Sequence, residues 1–452
     1  MEQLTLIQIA KAVGSASEHT GTANAISIDS RKITKGCLFI AIKGERFDGH
    51  DFIRDAFSLG AAAVITQHEV QGGKNIIVPD TKQALIKLAA YYRRLFNISL
   101  VGITGSVGKT TTKEMISCVL SSRYKTLKTQ GNLNNDIGLP LTLMELSKSH
   151  EAAVIEMGMS DFGEISVLSK TAKPNIAVIT NIGYSHIETL GSREGILKAK
   201  LEILDGLGDN GTLILNADDP LLFNLQYEMG REIIYYGVNN EVAAVRATNI
   251  QIKANETRFD IVFYGKVVPA VLPATGAHNI LNALAAFCVG IASEIEPAQI
   301  VKSFLSYKPA DMRQNIVKKG EQTLIVDCYN ASPTSMTAAI DVLASLPAKG
   351  KRVAVIGDML ELGSYSEQLH RDIADKVNES NVDMLLCYGK LAAHTKTRAS
   401  ELGMKSVSYF DNKEQLVSYL KRSLGKDDLV LFKASRGMEL EKVIEQVYED
   451  NA

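Results

Sequence analysis

The reading of this chain turns on Gly102-Ile-Thr-Gly-Ser-Val-Gly-Lys-Thr-Thr-Thr112. A short apolar run, Ile98-Ser-Leu-Val-Gly-Ile103, precedes it and reads as a strand. Lys109 to Ser122 reads as a helix. A glycine-rich turn between strand and helix aims backbone N–H groups at whatever sits over the helix N-terminus, which suits phosphate. In such a loop Gly105, Ser106, Val107 and Gly108 cradle phosphate oxygens. Lys109 reaches the terminal phosphates, the Thr110 hydroxyl faces Mg²⁺, and Thr111 follows on the helix. The generic pattern places a glycine five residues before the last one. Ile103 stands there instead, with Gly102 and Gly105 on either side. The motif therefore implies a nucleoside triphosphate, without naming a reaction.

Working outward, the alternation of short apolar strands with helices continues to both ends. Residues 1–95 carry expected strands at Ala25–Asp29, Leu38–Ile42, Gly60–Ile65 and Asn75–Val78, and a helix at Ala84–Leu95. Residues 96–308 add strands at Tyr124–Thr129, Ala152–Glu156, Asn175–Asn181 and Gly211–Leu215. An antiparallel extension is expected over 244–273, and a helix over Gly276–Ile291. Residues 309–452 follow a linker, Tyr307-Lys-Pro309, with strands at Thr323–Asp327, Arg352–Ile356, Met384–Cys387 and Leu429–Phe432. Their helices fall at 334–346, 365–379, 413–424 and 437–449. Near-continuous apolar strands spaced by helices define parallel sheets covered on both faces. The expected fold is α/β in three domains: a small N-terminal α/β domain, a central P-loop domain, and a C-terminal Rossmann-like doubly wound domain. The chain length of 452 residues agrees with about three domains.

Composition excludes several classes. A net charge of −2 gives no basic footprint for nucleic acid or for a membrane surface. No apolar run reaches spanning length. Met1-Glu-Gln-Leu-Thr lacks the basic and apolar regions of a signal peptide, so a cytoplasmic protein is expected. Five widely spaced cysteines fit neither a disulfide framework nor a CxxC metal site. A monomer is the expectation for oligomeric state.

Ligands of parallel sheets bind beyond the carboxyl ends of strands. That rule selects Glu156 and the stretch Asn181-Ile-Gly-Tyr-Ser-His186. A carboxylate and an imidazole near phosphates suit Mg²⁺, or Mn²⁺, rather than zinc. On the helix Gly195–Leu204, Lys198 and Lys200 cannot share a face. Both would ordinarily be solvated, yet one could turn inward. The loops Asp29–Lys32 and Gly44–Asp51 mix glycine with charge, as ligand loops and solvated turns both do.

Together these motifs form a set. Thr104-Gly-Ser-Val-Gly-Lys-Thr-Thr, Glu156-Met-Gly, Asn181-Ile-Gly-Tyr-Ser-His186, Lys198-Ala-Lys200, Gly276-Ala-His-Asn-Ile-Leu-Asn282 and Asp327-Cys-Tyr-Asn330 resemble the Mur ligases of peptidoglycan synthesis, in order and along the whole chain. Three stretches are similar to members that take up D-alanyl-D-alanine. They are Asp29-Ser-Arg with Gly44–Phe52, Thr129–Pro140, and Tyr329–Ser335 with Gly357–Gly363.

The resemblance implies that residues 1–95 hold the UDP end of a UDP-N-acetylmuramoyl-tripeptide, with Ser30 and Arg31 in contact. Asn132 and Asn135 would also meet that substrate. Residues 96–308 would bind ATP and Mg²⁺, and residues 309–452 would bring the dipeptide and complete the nucleotide site. Thr110 and Glu156 would hold one metal ion, and His186 the other together with Lys200. Lys200 would be carbamylated by CO₂, which converts a cation into an anion; Lys198 is the alternative. Asn279, with Asn282 as a second candidate, matches adenine contacts, and Arg313 and Asp327 match contacts to phosphate and ribose. Asn330, Ser332 and the 357–363 loop would face the dipeptide. For Asn282, Ser332 and Asp358, helix capping or turn formation is an equal reading.

The implied reaction activates a carboxylate as an acyl phosphate, which the dipeptide amine then attacks. A folylpolyglutamate synthetase would share the loop and the chemistry, but not the N-terminal part. A nucleotide-dependent switch ATPase would hydrolyse ATP with no small-molecule acceptor.

Overall fold

A computed structural model describes residues 1–227, 233–253 and 256–448. The chain divides into two compact units. The first comprises Met1–Thr104, Arg123–Ala177 and Leu201–Thr212, and the second Gly105–Ser122, Val178–Lys200 and the chain from Leu213 onward.

In the first unit, four parallel strands lie side by side in chain order: Ala25–Ser27, Cys37–Ile40, Ala63–Thr66 and Asn75–Ile77. Phe39, Ile53, Ala56 and Val64 fill the core beneath them. The helix Leu6–Val13 was not legible as an element, but its ends are well marked. Thr5 and Gln8 form a capping box, and Gly14 closes it in a left-handed conformation (φ 77). The helix Thr81–Arg93 starts at Asp80, whose carboxylate accepts from Gln83 N. It ties two stretches of this unit together: Tyr92 OH donates to Leu146 O at 2.7 Å, and Arg93 Nε donates to Ala172 O at 2.9 Å. Strand Ala152–Glu156 lies between Ser99–Thr104 and Thr126–Lys128, all parallel. Gly102 is inside the strand Ser99–Thr104. A Cβ there would meet Met157 Cε at 3.0 Å, so this glycine serves packing rather than the phosphate loop.

In the second unit, strands Thr212–Asn216, Ile233–Gly237 and Val245–Ile252 run parallel. Thr257–Phe263 and Lys266–Leu272 then continue the sheet antiparallel, as the alternation over 244–273 indicated. Residues 254–255 of that stretch lie outside the described residues. Helix Ala277–Ala292 is buried along most of its length. Gly290 lets it approach helix Lys109–Ser121: a Cβ there would stand 2.8 Å from Val119 Cγ1.

The second unit also holds a six-stranded sheet, ordered Asn315–Lys319, Gln322–Val326, Leu429–Lys433, Arg352–Gly357, Met384–Tyr388 and Val407–Phe410. Only the first pairing is antiparallel. Val353, Leu386, Val430 and Phe432 sit in its core. The edge strands Asn315–Lys319 and Val407–Phe410 and the helix Ala392–Glu401 escaped sequence reading. The first is largely exposed and ends in two lysines, and the helix is mostly polar. Helix Pro333–Ser345 begins at Ser332, which forms a capping box with Ser335. Among the described residues no helix is long and apolar enough to cross a membrane.

Candidate functional site: a phosphate loop and its neighbours

The loop Gly105–Gly108 is stapled to the segment that follows strand Ile176–Ile179. Ser106 N donates to Asn181 O (3.0 Å), and Val107 N donates to Asn181 Oδ1 (3.0 Å). Thr180 Oγ1 and Asn181 Nδ2 both donate to Val107 O, at 2.6 and 3.0 Å. Gly183 N reaches Ser106 Oγ at 2.8 Å. These bonds fix the loop backbone from behind. Gly105 (φ 147) and Gly108 (φ 85) hold conformations that side chains rarely adopt. A Cβ on Gly105 would stand 1.9 Å from Thr180 Oγ1, and one on Gly108 2.8 Å from Asn282 Oδ1. Helix Lys109–Ser121 starts with no side-chain cap, so its first N–H groups remain for an anion. Lys109 Nζ folds over the loop and donates to Gly105 O at 2.7 Å. Thr110 is buried on the first turn, and Thr111 bonds to the Tyr307 hydroxyl.

His186 follows in the same unit. It adopts a left-handed backbone (φ 63) ahead of the short helix Ile187–Leu190. Its Nδ1 stands 2.7 Å from Glu361 Oε2, which holds that carboxyl below the usual range. Nε2 is the ring nitrogen left for a metal, with Glu361 orienting the ring, an arrangement common around metal-binding histidines. Glu361 lies in the 357–363 loop that the sequence singled out for the dipeptide side, but its pairing with His186 had no signal there, since the two lie far apart along the chain.

Next comes helix Arg193–Leu201, tethered by Arg193 Nη2 to Ile182 O at 2.8 Å. Of the two lysines that could not share a face, one turns inward. Lys200 is 2% exposed beside buried Ile196 and Ala199, while Lys198 faces outward. Burial pushes the Lys200 amine well below the ordinary lysine range, and the charge of Lys109 pushes it further. A neutral, nucleophilic amine is the form that can take up CO₂.

The remaining predicted contacts of this unit are engaged with one another. Arg313 stacks over the Tyr329 ring, 4.2 Å from its centroid. Asp327 pairs with buried Lys433 at 2.7 Å. Lys433 Nζ also donates to Asn330 O at 3.1 Å. Asn279 and Asn282 bond to each other, and Asn282 accepts from Thr112. Ser332 caps a helix, and the Asp358 carboxylate accepts from Ala392 N at 2.7 Å. For these two and Asn282, structural bonds occupy the side chains.

In the first unit, Glu156 is buried at its strand end. Its Oε1 accepts from Asn134 Nδ2 at 2.8 Å, and its N–H donates to Thr129 Oγ1. Asn134 is the asparagine of the 129–140 stretch that reaches Glu156, and sequence reading passed over it. Asn132 is exposed, and Asn135 caps the turn into helix Gly138–Leu143 by accepting from Gly138 N. Ser30 opens a turn that Asp29 caps, and exposed Arg31 pairs with Asp29 at 2.9 Å. The Gly44–Asp51 loop places His50 2.6 Å from Asp48 and stacks it on His68.

Among the described residues no three His, Cys, Asp or Glu side chains gather as a metal cluster. The Thr110 hydroxyl and the His186 imidazole of the second unit and, taken by itself, the Glu156 carboxylate of the first are donors of a kind that suits Mg²⁺, which keeps waters and is commonly bound through one or two carboxylates and substrate phosphates.

A phosphate loop on an α/β sheet, followed by a histidine and a buried lysine, has a counterpart among known proteins. The family described as Mur ligase middle domain matches residues 103–290. Its companions, the Mur ligase family catalytic domain and the Mur ligase glutamate ligase domain, match 22–93 and 312–436. The chain belongs to the Mur ligase family. Within it, the UDP-N-acetylmuramoyl-tripeptide–D-alanyl-D-alanine ligase of Bacillus subtilis (strain 168) is 42% identical over 438 residues, covering 94% of this chain and 93% of that protein. The crystal structure of MurF from Acinetobacter baumannii superimposes with a TM-score of 0.92 at 32% identity, over 99% of each chain. MurF from Thermotoga maritima, solved with ADP, does so with a TM-score of 0.84 at 30% identity, over 94% of this chain and 97% of that one.

Proposed function

We propose that this chain is an ATP-dependent amide ligase that joins D-alanyl-D-alanine to UDP-N-acetylmuramoyl-tripeptide in peptidoglycan precursor synthesis. The observation that carries the reading is the buried Lys200 amine, 2% exposed, whose pKa is lowered by burial and by the charge of Lys109 on the phosphate loop. A switch ATPase has no use for such a group, whereas a carbamylated lysine gives an acyl-phosphate ligase an extra anion for its metal.

The terminal carboxylate of the tripeptide attacks the γ-phosphorus of ATP, and the bond to the bridging oxygen of ADP breaks. The dipeptide amine attacks the acyl carbon. The tetrahedral intermediate collapses by C–O cleavage, phosphate leaves, and the amine loses a proton. Bound Mg²⁺ supplies charge neutralisation for the phosphoryl group. Lys109 screens the repulsion between carboxylate and triphosphate. Gly105, Ser106, Val107, Gly108, Thr110 and Thr111 hold the phosphates, and Thr110, Glu156 and His186 would provide metal ligands. A carbamate on Lys200 would support a second ion.

Asn279 meets the base, and Arg313 and Asp327 meet phosphate and ribose. Ser30, Arg31, Asn132 and Asn135 contact the UDP substrate. Asn330 and Ser332 line the dipeptide side through their backbone or residual polar groups. Residues 1–95, 96–308 and 309–452 divide these tasks between substrate, ATP and dipeptide. The enzyme works as a cytoplasmic monomer.

The test is mass analysis after incubation with ATP, UDP-N-acetylmuramoyl-tripeptide and D-alanyl-D-alanine. A product heavier by the dipeptide less one water, with one ADP formed per product, is expected. Tetrahydrofolate with glutamate as the productive pair would refute the reading in favour of a folate ligase.

A further inference from the structure

Gln314 stands outside every role above. Its backbone is left-handed (φ 56), and its N–H donates to Asp327 Oδ1 at 3.2 Å. Its side-chain oxygen receives Asn279 Nδ2 at 3.0 Å and lies 3.1 Å from His278 Nε2. An amide oxygen can only accept, so His278 Nε2 donates to it, and burial lowers the pKa of that ring.

The amide of Asn279 is thereby fixed at both ends. Its nitrogen carries two hydrogens. One goes to Thr275 O at 2.9 Å and the other to Gln314. Its oxygen has two acceptor positions, and Asn282 Nδ2 takes one at 3.2 Å. Asn282 is itself locked by Thr112 Oγ1 at 3.0 Å, on the phosphate-loop helix. What Asn279 has left to offer a ligand is one acceptor and no donor.

We propose that Gln314 determines purine selectivity, by consuming the remaining Asn279 donor and so leaving only an acceptor to face the base. Adenine presents an amine at its 6-position and guanine an oxo group at the same place. An acceptor pairs with the first and repels the second. Without the Gln314 oxygen, the Asn279 amide regains a donor that guanine can use. The inference rests on the reading that Asn279 meets the nucleotide base.

The experiment is calorimetric binding of ADP and GDP to the full chain, which needs no acceptor substrate. The wild type is expected to favour ADP by about 10- to 100-fold. Gln314→Met, similar in size but without the acceptor, should bring the two affinities within about threefold, chiefly by improving GDP. Gln314→Glu keeps an acceptor and should keep the preference. If Gln314→Met fails to melt cooperatively, Gln314→Ala takes its place. An unchanged ADP-to-GDP ratio in a folded Met or Ala variant would overturn the proposal. So would tighter ADP binding at constant ratio, which would make Gln314 a competitor for the base, and so would a wild type that binds both alike. Loss of the ligase reading would show separately, as absence of any amide product with D-alanyl-D-alanine.

Discussion

His186 Nδ1 and Glu361 Oε2 stand 2.7 Å apart, and both residues hold left-handed backbones, at φ 63 and 65. Non-glycine residues adopt that conformation at a cost, and two of them meeting in one contact mark a position the fold constrains. Glu361 fixes the ring so that Nε2 is the free nitrogen. Glu361→Ala should therefore raise the Mg²⁺ concentration needed for half-maximal activity by about 10- to 100-fold, with Glu361→Gln intermediate. A Mg²⁺ titration at saturating ATP checks this. An unchanged requirement would reduce the pair to a surface contact.

Lys200 gives a prediction about chemistry. Lys200→Ala should lose most of its turnover and recover part of it with short carboxylic acids, irrespective of bicarbonate. The wild type should lose activity in CO₂-free buffer and regain it with bicarbonate. Failure of both responses would leave Lys200 as a packing residue.

The same residue gives a prediction about stability. Its folded-state pKa lies below the unfolded value, so between the two values the unfolded chain binds the extra proton. Stability of the unmodified protein then rises with pH through that window. Lys200→Met should melt higher than the CO₂-depleted wild type at neutral pH, and the gap should shrink as pH approaches the ordinary lysine value. Thermal melts from pH 7 to 10 read it directly.

Lys433 and Asp327 form a pair with the lysine almost fully buried and the carboxylate partly so. Removing one partner of a buried pair leaves an uncompensated charge. Lys433→Met should cost about 3 kcal/mol in denaturant unfolding, toward the lower end for such pairs because Asp327 keeps some contact with water. Asp327→Asn should cost a similar amount, and the double variant less than the sum.

The glycines of the loop can be graded against a neutral site. Gly105→Ala should abolish nucleotide binding, since its Cβ would collide with Thr180 Oγ1. Gly403 has a left-handed backbone (φ 80) with no atom within 4 Å of a Cβ. Gly403→Ala should cost only about 1–2 kcal/mol of backbone strain and leave ADP affinity unchanged by calorimetry.

The phosphate loop was legible because its residues are local: glycines, lysine and threonine act within a few positions of one another. The parallel strands were legible because both faces are buried, which writes continuous apolar runs such as Val353 to Ile356. The inward lysine was not. Positions 198 and 200 lie ~200° apart around a helix, and only packing of Ile196 and Ala199 shows which face turns in. Asn134 was missed beside Asn132 and Asn135 because three asparagines in four positions look alike without the Glu156 carboxylate. The 357–363 loop stood out, but the part played by Glu361 within it, and by Gln314, was invisible for a different reason. Each acts through a partner distant in sequence and from a left-handed backbone that glutamate and glutamine do not advertise.

The most direct measurement follows oxygen from the tripeptide carboxylate. With ¹⁸O in both carboxylate oxygens, activation as an acyl phosphate sends one labelled oxygen into the released phosphate for each amide bond formed, and only when D-alanyl-D-alanine is present. Unlabelled phosphate, or phosphate release that ignores both acceptor substrates, would contradict the ligase and leave an ATPase.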